Sequence, residues 1–367
     1  MKFVISRDAL LKPLNLVAGV VERRQTLPIL ANVLLVLEGD QLALTGTDLE
    51  VELVGRVKLE SPGEDGELTV PARKLVDICK SLPEGSEIEI SASDNKVTVR
   101  SGRSRFTLST LPARDFPSVD DSIGTHQFTV KQGQLRRLIE RTGFAMAQQD
   151  VRYYLNGMLW ELRSGRLRVV ATDGHRLAMC TLAAELEAED TQVILPRKGV
   201  LELSRLLLVD DQDISIVLGT NHIRATTDDF TFTSKLVDGK FPDYERVLPR
   251  SPDKAVIGSR LDLRQAFTRA AILSNEKYRG VRLKLSNDIM EIVANNPEQE
   301  QAEESVAVEY QGDSLEIGFN VSYLLDVLGV LTGEQIKLSM SDPNSSAQLE
   351  ESEVDGDSVY VVMPMRL

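Results

Sequence analysis

Three histidines, two cysteines and a recurring Thr-Asp dipeptide are where this sequence could do chemistry. Asp173 and His175, inside Ala171-Thr-Asp-Gly-His-Arg-Leu177, are the residue types of an acid–base pair. Yet Asp48 holds the same turn in an earlier copy of this segment without a histidine, and Asn296 holds it in a later one. A turn residue accounts for all three. His126, His175 and His222 are too scattered to imply a metal site. The sequence has no glycine loop closed by Lys-Ser/Thr, no dinucleotide fingerprint and no HExxH. Cys79 and Cys180 fall in a predicted helix and a predicted strand, without paired spacing, and read as buried thiols of a reducing cytoplasm. The expectation is a protein that is not an enzyme and needs no cofactor and no metal.

The elements that position the Asp173 turn form a meander. Strands are predicted over 152–162 and 167–172, joined at Ser164-Gly165, with a tight turn at Asp173-Gly174 and a third strand reaching Cys180. Ser-Gly and Asp-Gly tolerate the positive φ of hairpin turns. The chain writes this meander three times. The first copy turns at Glu38-Gly39-Asp40 and again after Thr47-Asp48, and the third turns at Ser286-Asn287-Asp288 and again at Asn295-Asn296. A period of roughly 125 residues is too long for a solenoid and means three whole domains of one design, over 1–122, 123–250 and 251–367.

Each repeat opens with a strand and an amphipathic helix, predicted over 8–21, 132–146 and 261–273. Ser6 suits the first N-cap, and Pro13 predicts a kink or a late start. A second helix opens at Pro71, Pro196 and Asn320, and further strands close each repeat. Helices on one face of antiparallel sheets make the fold class α+β. Linkers are expected over 115–125 and 243–254, both rich in Pro and Asp.

Composition is ordinary for a globular chain, with 42% hydrophobic and 27% charged residues. The first residues lack a signal pattern and no apolar run reaches spanning length, so the expected location is cytoplasmic, with no membrane partner. A net charge of -14 argues against nucleic acid. The distribution argues the other way: the predicted helices sum to about +10, leaving about −24 for sheets and loops. Glu forms helices as well as Lys and Arg do, yet is scarce in these.

Several motifs, in order, carry a family resemblance: Thr26-Leu-Pro-Ile-Leu30, Thr45-Gly-Thr-Asp48, Arg100-Ser-Gly-Arg-Ser-Arg105, Gln149-Asp-Val-Arg-Tyr-Tyr-Leu-Asn156, the Asp173 segment, Phe241-Pro-Asp-Tyr244 and Val361-Val-Met-Pro-Met-Arg-Leu367. With the threefold repeat, the chain resembles the bacterial DNA polymerase III beta subunit family, the sliding clamps, from end to end. The resemblance implies a head-to-tail homodimer whose six domains ring duplex DNA without reading sequence. Twelve helices at ~9 Å spacing give a circumference on the order of 110 Å and an axis-to-axis diameter of roughly 35 Å. Subtracting a helix thickness of ~10 Å leaves about 25 Å for a duplex.

By the same resemblance, DNA is met by Arg24, Arg73, Gln149, Tyr153, Tyr154, Arg197 and Lys198, with Gln148 beside them. Arg and Lys suit phosphate, and tyrosines suit unpaired bases. Read as strand neighbours, Tyr153 and Tyr154 would face opposite ways, leaving one for the core. The dimer contact is implied between Lys74, Ile78, Leu82, Arg103, Arg105, Phe106 and Leu108 of one chain and Ile272, Leu273, Glu298, Glu300, Glu303 and Glu304 of the other. The acidic run would face Arg103 and Arg105. A pocket for short peptides of polymerase subunits and the clamp loader is implied at Leu155, Thr172, Gly174, His175, Arg176, Leu177, Pro242, Arg246, Val247, Tyr323, Ser346, Val361, Met363, Pro364, Met365 and Arg366. Its thioethers suit re-packing against different peptides. The loop 341–344 supplies Asn344 where a small apolar residue is expected, predicting a more polar far wall. The rival reading is a repeated-domain adaptor that never touches DNA, which the net charge alone would support.

Overall fold

The computed structural model describes residues 1–21, 27–93, 95–119, 124, 126–182, 186, 189–250, 252–352 and 357–366. The first repeat comprises β1 (Lys2–Ser6), α1 (Arg7–Ala18), β2 (Asn32–Glu38), β3 (Gln41–Thr47), β4 (Val51–Lys58), β5 (Gly66–Pro71), α2 (Ala72–Ser81), β6 (Glu87–Ser93), β7 (Lys96–Ser101) and β8 (Ser104–Ser109). The second follows the same order: β9 (His126–Lys131), α3 (Gln132–Thr142), β10 (Gly157–Arg163), β11 (Arg166–Thr172), β12 (Arg176–Thr181), β13 (Thr191–Pro196), α4 (Arg197–Leu206), β14 (Asp213–Leu218), β15 (His222–Thr226) and β16 (Phe230–Lys235). So does the third: β17 (Lys254–Ser259), α5 (Arg260–Ala270), β18 (Gly280–Ser286), β19 (Ile289–Asn295), β20 (Gln301–Ala307), β21 (Leu315–Asn320), α6 (Val321–Val330), β22 (Gln335–Met340), β23 (Ala347–Glu351) and β24 (Ser358–Val362). Among the described residues no helix is long and apolar enough to cross a membrane.

The α+β expectation holds, with every described strand pair antiparallel. Chain contacts divide the molecule into two compact units, Met1–Gly133 with Lys198–Leu236, and Gln134–Arg197 with Val237–Leu367. The first unit holds a four-stranded sheet, β1-β6-β7-β8, and an eight-stranded sheet, β5-β2-β3-β4-β16-β15-β14-β9. In the second unit, β20-β19-β18-β21 and β13-β10-β11-β12-β24-β23-β22-β17 follow the same plan.

One pairing rule builds both long sheets. The third meander strand of one repeat pairs with the last strand of the next, β4 with β16 and β12 with β24. Two strands of those same kinds are left as sheet edges, β8 and β20. Each repeat also has a strand that sequence reading missed, β5, β13 or β21, which pairs with the far edge of its meander and runs straight into the second helix.

Two local expectations need correction. Helix α1 does not start late but runs from Arg7 through Pro13, whose ring is buried on the sheet side, where a Cβ added at Gly55 of β4 would lie 2.9 Å from the Pro13 Cβ. Ser6 does cap this helix, its hydroxyl accepting from Ala9 N at 3.3 Å. Tyr153–Leu155 is a 3-10 turn and the strand begins only at Gly157, so the two tyrosines are not alternating strand neighbours. The residues after Glu300 form edge strand β20.

Candidate functional site

The turn at Asp173 is a backbone device. Its Oδ1 accepts from His175 N at 2.9 Å and Arg176 N at 3.1 Å, while Thr172 Oγ1 donates to Arg176 O at 2.6 Å. Asp48 and Thr47 repeat the pattern at Glu50 N, Val51 N and Val51 O, at 2.9, 2.8 and 2.9 Å. In the third copy Asn296 Oδ1 accepts from Glu300 N at 2.9 Å. Both Asp173 oxygens are engaged, since Oδ2 also takes Arg176 Nε at 3.2 Å. The carboxylate organises the loop through three hydrogen bonds, none of them to the side chain of His175, which is exposed.

Beside this turn lies an apolar cavity of about 150 Å³. It sits on the β10–β11–β12–β24 face over a buried layer of Leu159, Val170, Leu177, Met179, Ile194 and Val361, roofed by Phe241 and Tyr244 from the segment after β16. Its wall includes Leu155, Thr172, Gly174, Arg176, Leu177, Pro242, Val247, Val361 and Met363. Arg152 and Tyr244 complete it, neither of which the sequence assigns to the pocket. Both stand in motifs that were noticed, so position in the motif was the available signal.

Arg176 is the hub of the wall. Its guanidinium lies 4.5 Å from the Tyr323 ring centre and 5.2 Å from that of Phe144, donates to Phe144 O at 2.8 Å, and pairs with Asp326. Tyr323 thereby borders the site without lining the cavity. Beyond it runs the tail. Met363 N donates to His175 O at 2.9 Å, Ser346 Oγ lies 3.0 Å from Met363 Sδ, and Met365 N donates to Gly318 O at 2.8 Å. Pro364 and Met365 are half-buried and Arg366 is exposed. Arg246 points away, pairing with Asp243 at 2.7 Å, and Asn344 is exposed in its own turn on Asp342.

Side-chain hydrogen bonds tie the loop between α3 and β10 together. Arg152 clasps Asp150 at 3.0 and 2.8 Å, and the Asn156 side chain bonds Asp150 N and O at 2.9 and 2.8 Å. Hydrogen bonds from Arg152 hold the Asp150 carboxyl down at about 2. The loop carries exposed Gln148, Gln149 with φ 57° and Tyr153, whose ring meets Tyr154 edge-on at 5.8 Å. Tyr154 instead packs on the apolar layer beneath the cavity. Arg73 is exposed on α2 and donates to Val21 O at 3.2 Å. Lys198 pairs with Asp48, and Arg197 Nη1 is buried with no hydrogen-bond partner among the described residues. Arg24 lies outside the described residues.

The residues expected at a dimer contact fall on the two open edges and the elements beside them. Arg105, Phe106 and Leu108 are on β8, with Arg103 in the turn before it, and Lys74, Ile78 and Leu82 are on α2 or at its end. Glu303 and Glu304 are on β20, with Glu298 and Glu300 in the turn before it. Ile272 and Leu273 follow α5, and Ile272 is 74% exposed. Glu304 is held within its own chain by Arg269 at 2.8 and 2.7 Å.

Three like modules, helices on antiparallel sheets, with one apolar cavity beside the Asp173 turn, define a clamp-type chain. Family models describe the same three parts: the DNA polymerase III beta subunit N-terminal domain matches residues 1–120, its central domain 129–243 and its C-terminal domain 245–366. The chain belongs to the DNA polymerase III beta subunit family, the sliding clamps that serve DNA replication as processivity factors and are not enzymes. It is 68% identical to the beta sliding clamp of Pseudomonas aeruginosa and 55% to that of Escherichia coli K12, each over 100% of both chains. The crystal structure of the P. aeruginosa beta subunit superposes with a TM-score of 0.98 at 68% identity over 100% of both chains. A structure of the P. aeruginosa clamp bound to griselimycin gives 0.97, likewise at 68% identity over 100% of both chains.

Proposed function

We propose that two copies of this chain close head to tail into a cytoplasmic ring of six domains, 1–122, 123–250 and 251–367 in each copy, that encircles duplex DNA without sequence specificity. The two open edges carry this reading. Inside the chain, a last strand always finds the third meander strand of its neighbour, except at β8 and β20. Exposed edges invite pairing, and the β8 edge of one copy would receive β20 of the next. Two such joints close the ring instead of growing a filament.

The internal register predicts the joint. Thr231 and Val359 stand opposite Val54 and Met179, and Phe232 and Tyr360 opposite Leu53 and Ala178. Arg105 and Phe106 hold the matching places on β8, and Glu303 and Ala302 those on β20. Arg105 therefore meets Glu303 across the joint and Phe106 covers Ala302, with exposed Ile272 and Leu273 adding apolar area.

Cationic helices facing the opening would attract phosphate without reading bases, so the ring can slide. Arg24, Arg73, Gln149, Arg197 and Lys198 are the candidate DNA contacts, and Tyr153 is the candidate for stacking on an unpaired base. The cavity beneath Tyr244 would take the apolar side chain of a short peptide from a polymerase subunit or the clamp loader, with the 363–366 tail as the second half of that site.

Native mass and DNA retention test the reading together. The protein should run as a dimer and stay on nicked circular DNA at a salt concentration that strips it from a linear fragment, because topology retains it. Equal loss from both substrates would favour an adaptor that does not encircle DNA.

A further inference from the structure

On the sheet face that bears the cavity, β11 runs from Thr172 in the cavity wall, past buried Val170, to Arg168 and Arg166. These two arginines and Arg163 line a second, open cavity of about 420 Å³ that also contains Glu161 and Glu245. Tyr244 is the partition between the two. Its ring lines the apolar cavity, while its hydroxyl donates to Glu161 Oε2 at 2.6 Å and accepts from Arg168 Nη1 at 3.0 Å. Burial and the bond to Glu161 push that hydroxyl up to about 12, so it stays a donor at neutral pH.

The acids of the groove are engaged. Glu161 is taken by Tyr244, Glu245 pairs with Arg163 at 3.0 Å, and nearby Asp190 accepts from Ser164 N at 2.8 Å. Three guanidinium groups stand against the carboxylates of Glu161 and Glu245, and the side chain of exposed Arg166 has no hydrogen-bond or ion-pair partner among the described residues. Arg163 and Arg168 are already balanced by Glu245 and Glu161, so Arg166 is the cation of this groove left for an acid flanking an anchor in the neighbouring apolar cavity.

We propose that this groove reads acidic side chains that flank the apolar anchor of a partner peptide seated in the neighbouring cavity. The inference rests on the reading of that cavity as a peptide pocket. Thr172 and Arg166 are six residues apart on β11, about 20 Å at ~3.3 Å per residue. An extended peptide covers that span in about six residues, so the acids belong five to seven positions from the anchor.

Fluorescence anisotropy on the full chain tests this with a labelled peptide bearing Leu-Phe as the anchor. Versions carry a neutral flank, an Asp-Asp flank or a Lys-Lys flank, placed before or after the anchor. In one placement the Asp-Asp flank should tighten binding roughly threefold to tenfold at low salt, with the gain fading as salt rises. Arg166→Glu should erase the gain and leave the neutral peptide's affinity unchanged, and Arg166→Gln should halve it. Equal affinity of all flanked peptides overturns this inference and leaves the pocket standing. Failure of every peptide to bind overturns the pocket and the inference with it.

Discussion

The Arg269 guanidinium grips the Glu304 carboxylate in two parallel hydrogen bonds of 2.8 and 2.7 Å, so this acid is neutralised within its own chain. The same bonds hold its carboxyl below the usual range. Glu303, one residue earlier, is exposed on the open edge and takes the Gln301 side-chain amide. A one-residue slip in a strand exchanges the outward and inward sets, so the two acids make opposite predictions.

Glu303→Arg or Arg105→Glu alone should weaken the dimer about tenfold or more by facing like charges, and the two together should restore most of it. Glu304→Gln should leave the dimer constant within about twofold, as an acid already paired adds little across a joint. Sedimentation equilibrium measures all four. A dimer lost on Glu304→Gln and kept on Glu303→Arg would shift the register by one residue.

Asp173 and Asp48 build the same turn in different repeats, which separates local from global effects. Removing a charged acceptor from two backbone N–H groups should cost about 1–3 kcal/mol in urea unfolding for either Asp173→Ala or Asp48→Ala. Only Asp173→Ala should weaken peptide binding, since Asp173 also fixes Arg176 through Nε at 3.2 Å and Arg176 lines the cavity. Equal weakening by Asp48→Ala would mean the effect is loss of fold.

Those turns were legible because their residues announce the backbone they need. Ser164 and Gly165 have φ of 52° and 72°, and Asn287 and Asp288 have 46° and 63°, all in the left-handed region. Strand β5 and its counterparts were not, because Gly66-Glu-Leu-Thr-Val-Pro71 is short and its partner is set by the meander's far edge. Tyr153–Leu155 misled because aromatic residues favour strands, whereas the loop is fixed by Asp150 and Asn156, six residues apart. The apolar cavity beside the second repeat's turn was not legible either, because Leu177 reaches its wall through strand register. The place of Leu177 is held by buried Glu52 in the first repeat and exposed Gln301 in the third.

Helix α1 lies unusually close to its sheet. A Cβ at Gly46 would stand 2.6 Å from Val17 Cγ1 and 3.0 Å from Val17 O, and the backbone oxygen cannot yield without moving the helix. Gly46→Ala should therefore destabilise by about 1–3 kcal/mol, as overpacking does. Gly39→Ala, where an added Cβ meets nothing within 4 Å, is strained only through its φ of 64°. Its expected loss is about 1 kcal/mol. Urea midpoints of the two variants should differ in that order, and the reverse order would mean that the helix accommodates the methyl by sliding.

A pH-sensitive element should be the buried ion pair of Arg141 and Glu351, 3.2 Å apart with side chains only 6% and 9% exposed. Burial pushes the Glu351 carboxyl up, but the Thr332 and Gly333 N–H groups and the Arg141 charge outweigh it and hold it below its ordinary 4.5. A carboxyl depressed in the folded state adds stability that is complete above its unfolded value and disappears as pH falls through its folded value. Glu351→Ala should cost about 3 kcal/mol at neutral pH, since among the described residues Arg141 then keeps only Asp357, 3.9 Å away, as a charge partner. The variant's deficit should shrink as pH drops below about 4.5, because the wild type then loses the same pair. Unfolding free energies of both proteins between neutral pH and acid decide it, and a deficit that stays constant would assign the loss to packing instead of charge.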